Sequence, residues 1–368
     1  MKCKVLRENL LKPLQTAVSI ADKKHTMPIL STVLFVVENG KLALKASDLE
    51  AEVIAKVEID RAFQPGKVTL AARKIMDIIR NLPEHTQIEI TLEQDNRVKI
   101  QANRAKFMLS TLNADAFPIM DVNIDEARFK VPQLDFMAAL KRVQFAMANN
   151  DVRYFLNGML WEVNGDQFKT IATDGHRMAM SELNIENTYL DQIQLIVPRK
   201  TVMELQKIVS STDNDLIEII VGKNHFKVIL KHYQFTSKLI DGRYPDYTLV
   251  IPKSNERVLI ANRLELKAAL VRTAILSNEK YRGVRLQISH NQMLMSANNP
   301  EHEEARDELE VQYHDDAMEI GFNVNYLLDV MNVLDAETID WYLSDPSMSL
   351  LIRDETTRSS YVVGPIRL

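Results

Sequence analysis

"ILSTVLFVVENGKLAL" occupies residues 29–44. An apolar run, an Asn-Gly pair and a second alternating run make a β-hairpin pattern. The pattern returns as "FLNGMLWEVNGDQFKT" from Phe155 and as "YRGVRLQISHNQMLMS" from Tyr281. Both steps are 126 residues, which puts Leu34, Leu160 and Leu286 in register. Two further segment types keep the same company. "ARKIMDIIRNL" from Ala72, "PRKTVMELQKI" from Pro198 and "VNYLLDVMNVL" from Val324 carry apolar residues at helical spacing. "LLKPLQTAV", "LDFMAALKRVQFAM" and "LELKAALVRTAIL" precede the hairpins. Pro13, in the first of these, is expected near a helix start, where a missing N–H costs little. Three element types occurring three times read as three similar domains. The fold class is α+β, each domain having two helices packed on mostly antiparallel sheet. The expected boundaries are 1–127, 128–254 and 255–368, and the stretches 113–127 and 245–257, with prolines and polar residues, fit linkers.

Composition excludes several classes. No apolar run approaches the roughly 18–20 residues of a membrane span, and "MKCKVLRENLL" has no secretory h-region. A cytoplasmic protein with no membrane partner is expected. Cys3 is the only cysteine, so neither an intrachain disulfide nor a thiolate metal cluster can form. The ten glycines form no phosphate-cradling GxxxxGKS/T and no GxGxxG, and there is no HExxH. "PEHEEARDE" (300–308) reads as a solvated acidic face, so no metal and no cofactor are expected. The net charge of −5 argues against nucleic acid only as an average. Residues 1–127 carry +1, residues 128–254 carry +2 and residues 255–368 carry −8.

One stretch invites a catalytic reading. "ATDGHRMAM" (172–180) crowds Asp174, His176 and Arg177 around a glycine. A hydrolase with its site at Asp174, His176 and Arg177 on a repeat scaffold is the alternative to a binding protein. The repeat bears on the choice, because Asp48 in "ASD" lies 126 residues before Asp174 in "ATD", while the third copy has "ANN", one residue out of step. A short polar side chain at the same strand end is what a turn demands. "GHRM" is replaced by "LEAE" in the first copy, so Gly175, His176, Arg177 and Met178 are candidates for a function special to the middle domain. No serine, cysteine or second acid is arranged with them in sequence, so binding is favoured.

The motifs "MPIL", "DVRY", "LNGML", "ATDGHR", "VPRK", "DGRYPDY", "AILSNEK", "RGVRL", "GFNV" and the final "YVVGPIRL" follow one another in this order. The chain resembles the bacterial DNA sliding clamp, the β subunit of DNA polymerase III. That resemblance implies three domains of the DNA-clamp fold per chain and a head-to-tail homodimer closed into a ring. It implies encirclement of double-stranded DNA without sequence preference, no catalysis, and partners that include the replicative polymerase catalytic subunit and the clamp loader. Other DNA polymerases and repair proteins would bind through short peptides.

Residues at matching positions inherit expected roles. DNA contacts fall on Lys24, Arg73, Asn150, Tyr154, Phe155, Arg199 and Lys200. The family often has arginine at 24, glutamine at 150 and a hydroxyl-bearing ring at 155. The partner-peptide groove falls on Leu156, Thr173, Gly175, His176, Arg177, Met178, Pro245, Val250, Tyr281, Asn323, Tyr326, Ser349, Val362, Val363, Pro365, Ile366, Arg367 and Leu368. Gly364 stands where methionine is frequent, which would widen the groove or remove a gate, and Leu249 stands for a frequent arginine. The dimer interface falls on Lys106, Phe107 and Leu109 against Ile275 and Leu276, with Glu301, Glu303, Glu304 and Asp307 supplying charge.

Overall fold

The structure is a computed structural model and describes all residues except 22–26, 95, 121–126, 186–191, 210–214, 254–255 and 368. By packing, the chain falls into two units, Met1–Leu134 with Lys200–Leu239, and Asp135–Arg199 with Ile240–Leu368. The boundary expected at 254/255 and the 121–126 part of the first linker lie outside the described residues.

The first unit holds a four-stranded and an eight-stranded antiparallel sheet. In the smaller, β1 (Lys2–Leu6), β6 (Gln87–Leu92), β7 (Arg97–Ala102) and β8 (Ala105–Ser110) lie in that order. The larger joins two four-stranded halves edge to edge. One half is β5 (Gly66–Ala71), β2 (Thr32–Glu38), β3 (Lys41–Ser47) and β4 (Ala51–Glu58). The other is β16 (Tyr233–Lys238), β15 (His225–Ile229), β14 (Leu216–Val221) and β9 (Ala127–Pro132). Helices α1 (Arg7–Ile20) and α2 (Ala72–Asn81) pack on one another, and α1 lies on β3 and β4.

The second unit repeats the plan. Its larger sheet runs β13 (Ile193–Pro198), β10 (Gly158–Asn164), β11 (Gln167–Thr173), β12 (Arg177–Asn184), then β24 (Ser359–Val363), β23 (Leu350–Asp354), β22 (Thr338–Leu343) and β17 (Arg257–Asn262). Its smaller sheet runs β20 (Glu304–Glu310), β19 (Gln292–Asn298), β18 (Gly283–Ser289) and β21 (Met318–Asn323). Of the remaining helices, α4 (Arg199–Ile208) falls almost wholly in the first unit, and α3 (Gln133–Val143), α5 (Arg263–Ala274) and α6 (Val324–Val333) fall mainly or wholly in the second. Trp161 on β10 meets Phe136 of α3 edge to face at 5.3 Å and 83°, a geometry that suits aromatic quadrupoles.

The three expected hairpins are β2–β3, β10–β11 and β18–β19, each closed by a two-residue turn. The third copy is shifted, however. Gly158 lies opposite Pro198 and Gly283 opposite Asn323, each of these the residue before its domain's second helix. The structural step is therefore 125 residues, and Arg285, not Leu286, stands with Leu34 and Leu160. Leu286 faces inward in the place of Trp161, because alternation sends neighbouring residues to opposite faces. Pro13 also differs from expectation. α1 begins at Arg7, directly after β1, so Pro13 lies inside the helix, where it removes the donor that would bond the Asn9 carbonyl. Burial of Leu10, Leu14, Ala17 and Ile20 holds the helix in place. The expected linkers are partly packed structure, since Phe117 and Tyr247 are both buried.

Candidate partner-binding groove and charged surfaces

The loop from β11 to β12 is an Asx turn. Asp174 Oδ1 accepts the backbone N–H of His176 at 2.9 Å and of Arg177 at 3.0 Å. Asp48 Oδ1 accepts those of Glu50 at 2.9 Å and Ala51 at 2.7 Å in the first domain. The residue between is left-handed in both, Gly175 at φ +87° and Leu49 at +72°. Gly175 is thus part of the shared turn, contrary to the sequence reading that set all of "GHRM" apart.

Arg177 is locked rather than free. Its Nε donates to Asp174 Oδ2 at 3.1 Å, Nη2 to the Phe145 carbonyl at 3.0 Å, and Nη1 to Asp329. The guanidinium lies 4.4 Å from the Tyr326 ring centroid and 5.2 Å from that of Phe145, and cation–π attraction adds to the ion pairs. Asp329 is the second acid that sequence inspection did not find. Arg153 holds the other side of the turn. Its guanidinium bonds both Asp151 oxygens and the Asp174 carbonyl, the last at 3.1 Å. The Arg153 hydrogen bonds bring the Asp151 carboxyl down to about 2. Asp174 has both oxygens committed to backbone N–H groups and Arg177, so it is not poised as a base for His176.

The exposed His176 ring lies near-parallel to Tyr326, 6.3 Å away at 22°. The strand that follows the loop runs into an apolar cluster. Leu156, Met178 and Val362 are buried in one cluster with Leu160, Ile171, Tyr244 and Tyr247, and Val363 is buried opposite Arg177. Thr173 donates its N–H to the Tyr244 hydroxyl at 3.1 Å. The Tyr247 hydroxyl donates to buried Glu162 at 2.9 Å, and burial pushes both phenols up. Pro245, Leu249 and Val250 are exposed in the segment that carries Tyr244 and Tyr247. Gly364 donates its N–H to the His176 carbonyl at 2.8 Å, and a Cβ there would meet that oxygen at 2.9 Å. The glycine therefore admits close backbone approach. Asn323 caps α6, and Ser349 and Pro365 are half-buried. Tyr281, Ile366 and Arg367 line a cavity of about 430 Å³ with Asn278, Gly283, Asn298, Asn299 and Pro300. Leu368 lies outside the described residues.

Of the expected DNA contacts, Lys24 lies outside the described residues. Arg73 is exposed on the first turn of α2. Arg199 spends one N–H on the Met147 carbonyl at 2.9 Å, and Lys200 is paired with Asp48. Asn150 is exposed and left-handed, and exposed Tyr154 packs edge-on against Phe155. Of the expected interface residues, Lys106, Phe107 and Leu109 lie on the outer strand β8, and Glu304 and Asp307 on the outer strand β20. Ile275 is 73% exposed just after α5, Leu276 follows it half-buried, and Glu301 and Glu303 sit in the exposed loop before β20. Asp307 accepts from Arg272 at 2.6 Å. Among the described residues no group of three or more His, Cys, Asp or Glu side chains is placed to hold a metal, and no helix is long and apolar enough to cross a membrane.

Three α+β repeats whose sheets join edge to edge, with the Asp174 turn locked by its own hydrogen bonds, define a repeat-built protein without a poised hydrolytic base at Asp174. Residues 1–121, 130–246 and 248–367 match the N-terminal, central and C-terminal domains of the DNA polymerase III beta subunit. The chain is 45% identical over 369 residues to the beta sliding clamp of Escherichia coli K12, covering 100% of both. It is 43% identical over 365 residues to that of Pseudomonas aeruginosa, covering 99% of both. Crystal structures of the Pseudomonas aeruginosa subunit, one of them bound to griselimycin, superpose with TM-scores of 0.96 and 0.97 over 100% of each chain at 43% identity. The chain belongs to the DNA polymerase III beta-subunit family, the beta sliding clamps, and its function is that of a DNA polymerase processivity clamp.

Proposed function

We propose that two copies of this chain, each with domains 1–127, 128–254 and 255–368, close head to tail into a ring around duplex DNA. The observation that carries this reading is the pairing of strand edges. β4 pairs with β16, setting Val53 opposite Phe235, and β12 pairs with β24, setting Ala179 opposite Tyr361. Cys3, Phe129 and Leu259 hold the same place ahead of the first helix of each domain. Following the ladders from them, Phe107 is the counterpart of Phe235 and Tyr361. Ala305, opposite Ala297, is the counterpart of Val53 and Ala179. A third junction of this kind joins β8 of one chain to β20 of a second, with Phe107 facing Ala305. Phe145 stacks on Tyr361 at 6.1 Å, and its counterpart Ile275 would pack on the partner's Phe107. Such a heterologous contact forms a ring when its rotation closes.

Arg73, Asn150, Tyr154, Phe155, Arg199 and Lys200 supply DNA contacts without base readout, since phosphate contacts position but do not specify. The His176–Tyr326 groove takes apolar-ended peptides of the replicative polymerase, the clamp loader and other polymerases and repair proteins. The chain itself catalyses nothing and works in the cytoplasm. The test is a Phe107→Cys, Ala305→Cys chain. Oxidation should give a covalent dimer of twice 42.1 kDa that stays on circular DNA and leaves it after linearisation. Cross-linking no faster than with a Leu109→Cys, Ala305→Cys control, or equal retention on both DNA forms, would overturn the reading.

A further inference from the structure

The hairpin β18–β19 turns through His290 and Asn291. The turns at the same place in the other two domains are Asn39–Gly40 and Gly165–Asp166, so the shared fold needs no ring there. His314 lies beside it, the two ring centres 5.2 Å apart and tilted by 45°. The fold does not call for this second ring either. Gln312 donates its N–H to the Ile260 carbonyl at 2.8 Å as Asp60 does to the Lys4 carbonyl at 3.1 Å, so His314 stands where the first domain has Ala62.

The backbone under both rings is clamped. Asn291 donates its N–H to the Tyr313 carbonyl at 3.0 Å and accepts the Val311 N–H at 3.2 Å. Its side-chain oxygen accepts the Tyr313 N–H at 3.4 Å. Gln312 and Ile260 exchange both of their backbone hydrogen bonds, which ties the same loop to β17. The Tyr313 ring is fully buried, and its hydroxyl donates to the Asp316 carbonyl at 2.8 Å. Both histidines stand exposed on this clamped backbone. Solvent reaches the rings, and the fold already holds them together, which lowers the ordering cost for a ligand that needs both.

Two imidazoles at this distance suit one transition-metal ion. With Zn–N bonds of about 2.0–2.1 Å and a tetrahedral angle, two ligating rings have their centres about 5 Å apart. Nitrogen donors favour zinc, nickel or copper, whereas magnesium and calcium take oxygen. Asp315 and Asp316 follow His314, and residues 255–368 carry −8, a field that attracts cations. The amide nitrogen of Asn291 lies 3.3 Å from His290 Nε2. That contact is long and exposed, so an ion displaces it at little cost. Among the described residues no third His, Cys, Asp or Glu joins the pair, which leaves the rest of the coordination sphere to water, as in an open site.

We propose that His290 and His314 together hold one divalent transition-metal ion. The probe is zinc chloride titrated into the full chain, followed by calorimetry and by NMR of the histidine ring protons. Saturable binding is expected, with the His290 and His314 signals moving together and that of His302 unmoved. His290→Ala and His314→Ala should each weaken binding about tenfold or more, because a single donor loses the chelate. His302→Ala should bind as wild type does. If alanine at 290 disturbs the turn, His290→Asn restores the residue of the first domain's turn and should weaken binding by a similar factor. No saturable binding up to millimolar zinc would overturn the proposal. So would wild-type affinity in the variants at 290 and 314, or shifts confined to His176 or His302.

Discussion

Gly175→Ala and Leu49→Gly should change stability in opposite directions, although the two residues sit at the same point of the same turn. A left-handed conformation costs a residue with a Cβ about 1–2 kcal/mol. A glycine in its place returns about 0.4–1 kcal/mol of that advantage as extra freedom of the unfolded chain. Leu49 is 38% exposed at φ +72°, so Leu49→Gly should gain about 0.5–1 kcal/mol net. Gly175→Ala should lose a similar amount to strain. Its new Cβ would also lie 3.1 Å from Arg153 Nη2, displacing the donor to the Asp174 carbonyl. That hydrogen bond is exposed, so its loss adds little. The loss for Gly175→Ala is then about 1 kcal/mol, set by the strain. Urea unfolding monitored separately by fluorescence and circular dichroism reads both changes and checks that the transitions coincide. Changes of the same sign, or a Gly175→Ala effect under about 0.5 kcal/mol, would refute the strain argument.

Burial raises the carboxyl of Glu52, opposed in part by the Met120 N–H it accepts at 3.1 Å. A raised carboxyl stabilises the fold at low pH and loses that contribution as pH rises through the folded value. Glu52→Gln should therefore gain on wild type as pH rises from about 4.5, and a constant difference in unfolding midpoint across pH would count against burial as the cause. Changing Arg73, Arg199 and Lys200 together to alanine should flatten the salt dependence of DNA binding by about 0.9 log–log unit for each phosphate that the variant no longer neutralises; an unchanged slope would remove them from the DNA surface. Deleting Pro365 to Leu368 should weaken an apolar-ended peptide by about 2 kcal/mol, while Asp174→Asn should leave it nearly unchanged. Calorimetry giving the reverse order would return Asp174 to a direct role.

The repeat was legible because each element type has a local period, and local periods survive divergence. Asp48 and Asp174 could be matched by letter and then proved to make the same two backbone hydrogen bonds. The slip in the third hairpin was hidden because a leucine at 286 imitated the leucine at 160, whereas the glycines at 158 and 283 kept the true register. Pro13 misled because the apolar stripe of α1 starts at Leu10, three residues after the helix does. The distant partners of Arg177 could not be read. Asp329 is 152 positions away, and no period links a charged side chain to so distant an acid. Arg153 and Tyr244 lie in quoted motifs, "DVRY" and "DGRYPDY", but their hydrogen bonds to Asp174 and Thr173 join segments far apart in the chain.

The two outer strands differ in how safely they can wait in water. β20 carries Glu304, Asp307, Glu308 and Glu310, so two copies of it side by side would oppose acid to acid, which discourages self-pairing. β8 has one charge, Lys106, and a Met108 that is 46% exposed. In the proposed assembly, a chain without its partner would be guarded at β20 and adhesive at β8. Engineering a well-behaved single chain for biochemical work calls for a lysine or glutamate on β8 itself, since breaking the proposed β8–β20 junction from the Ile275 side would leave the adhesive strand bare.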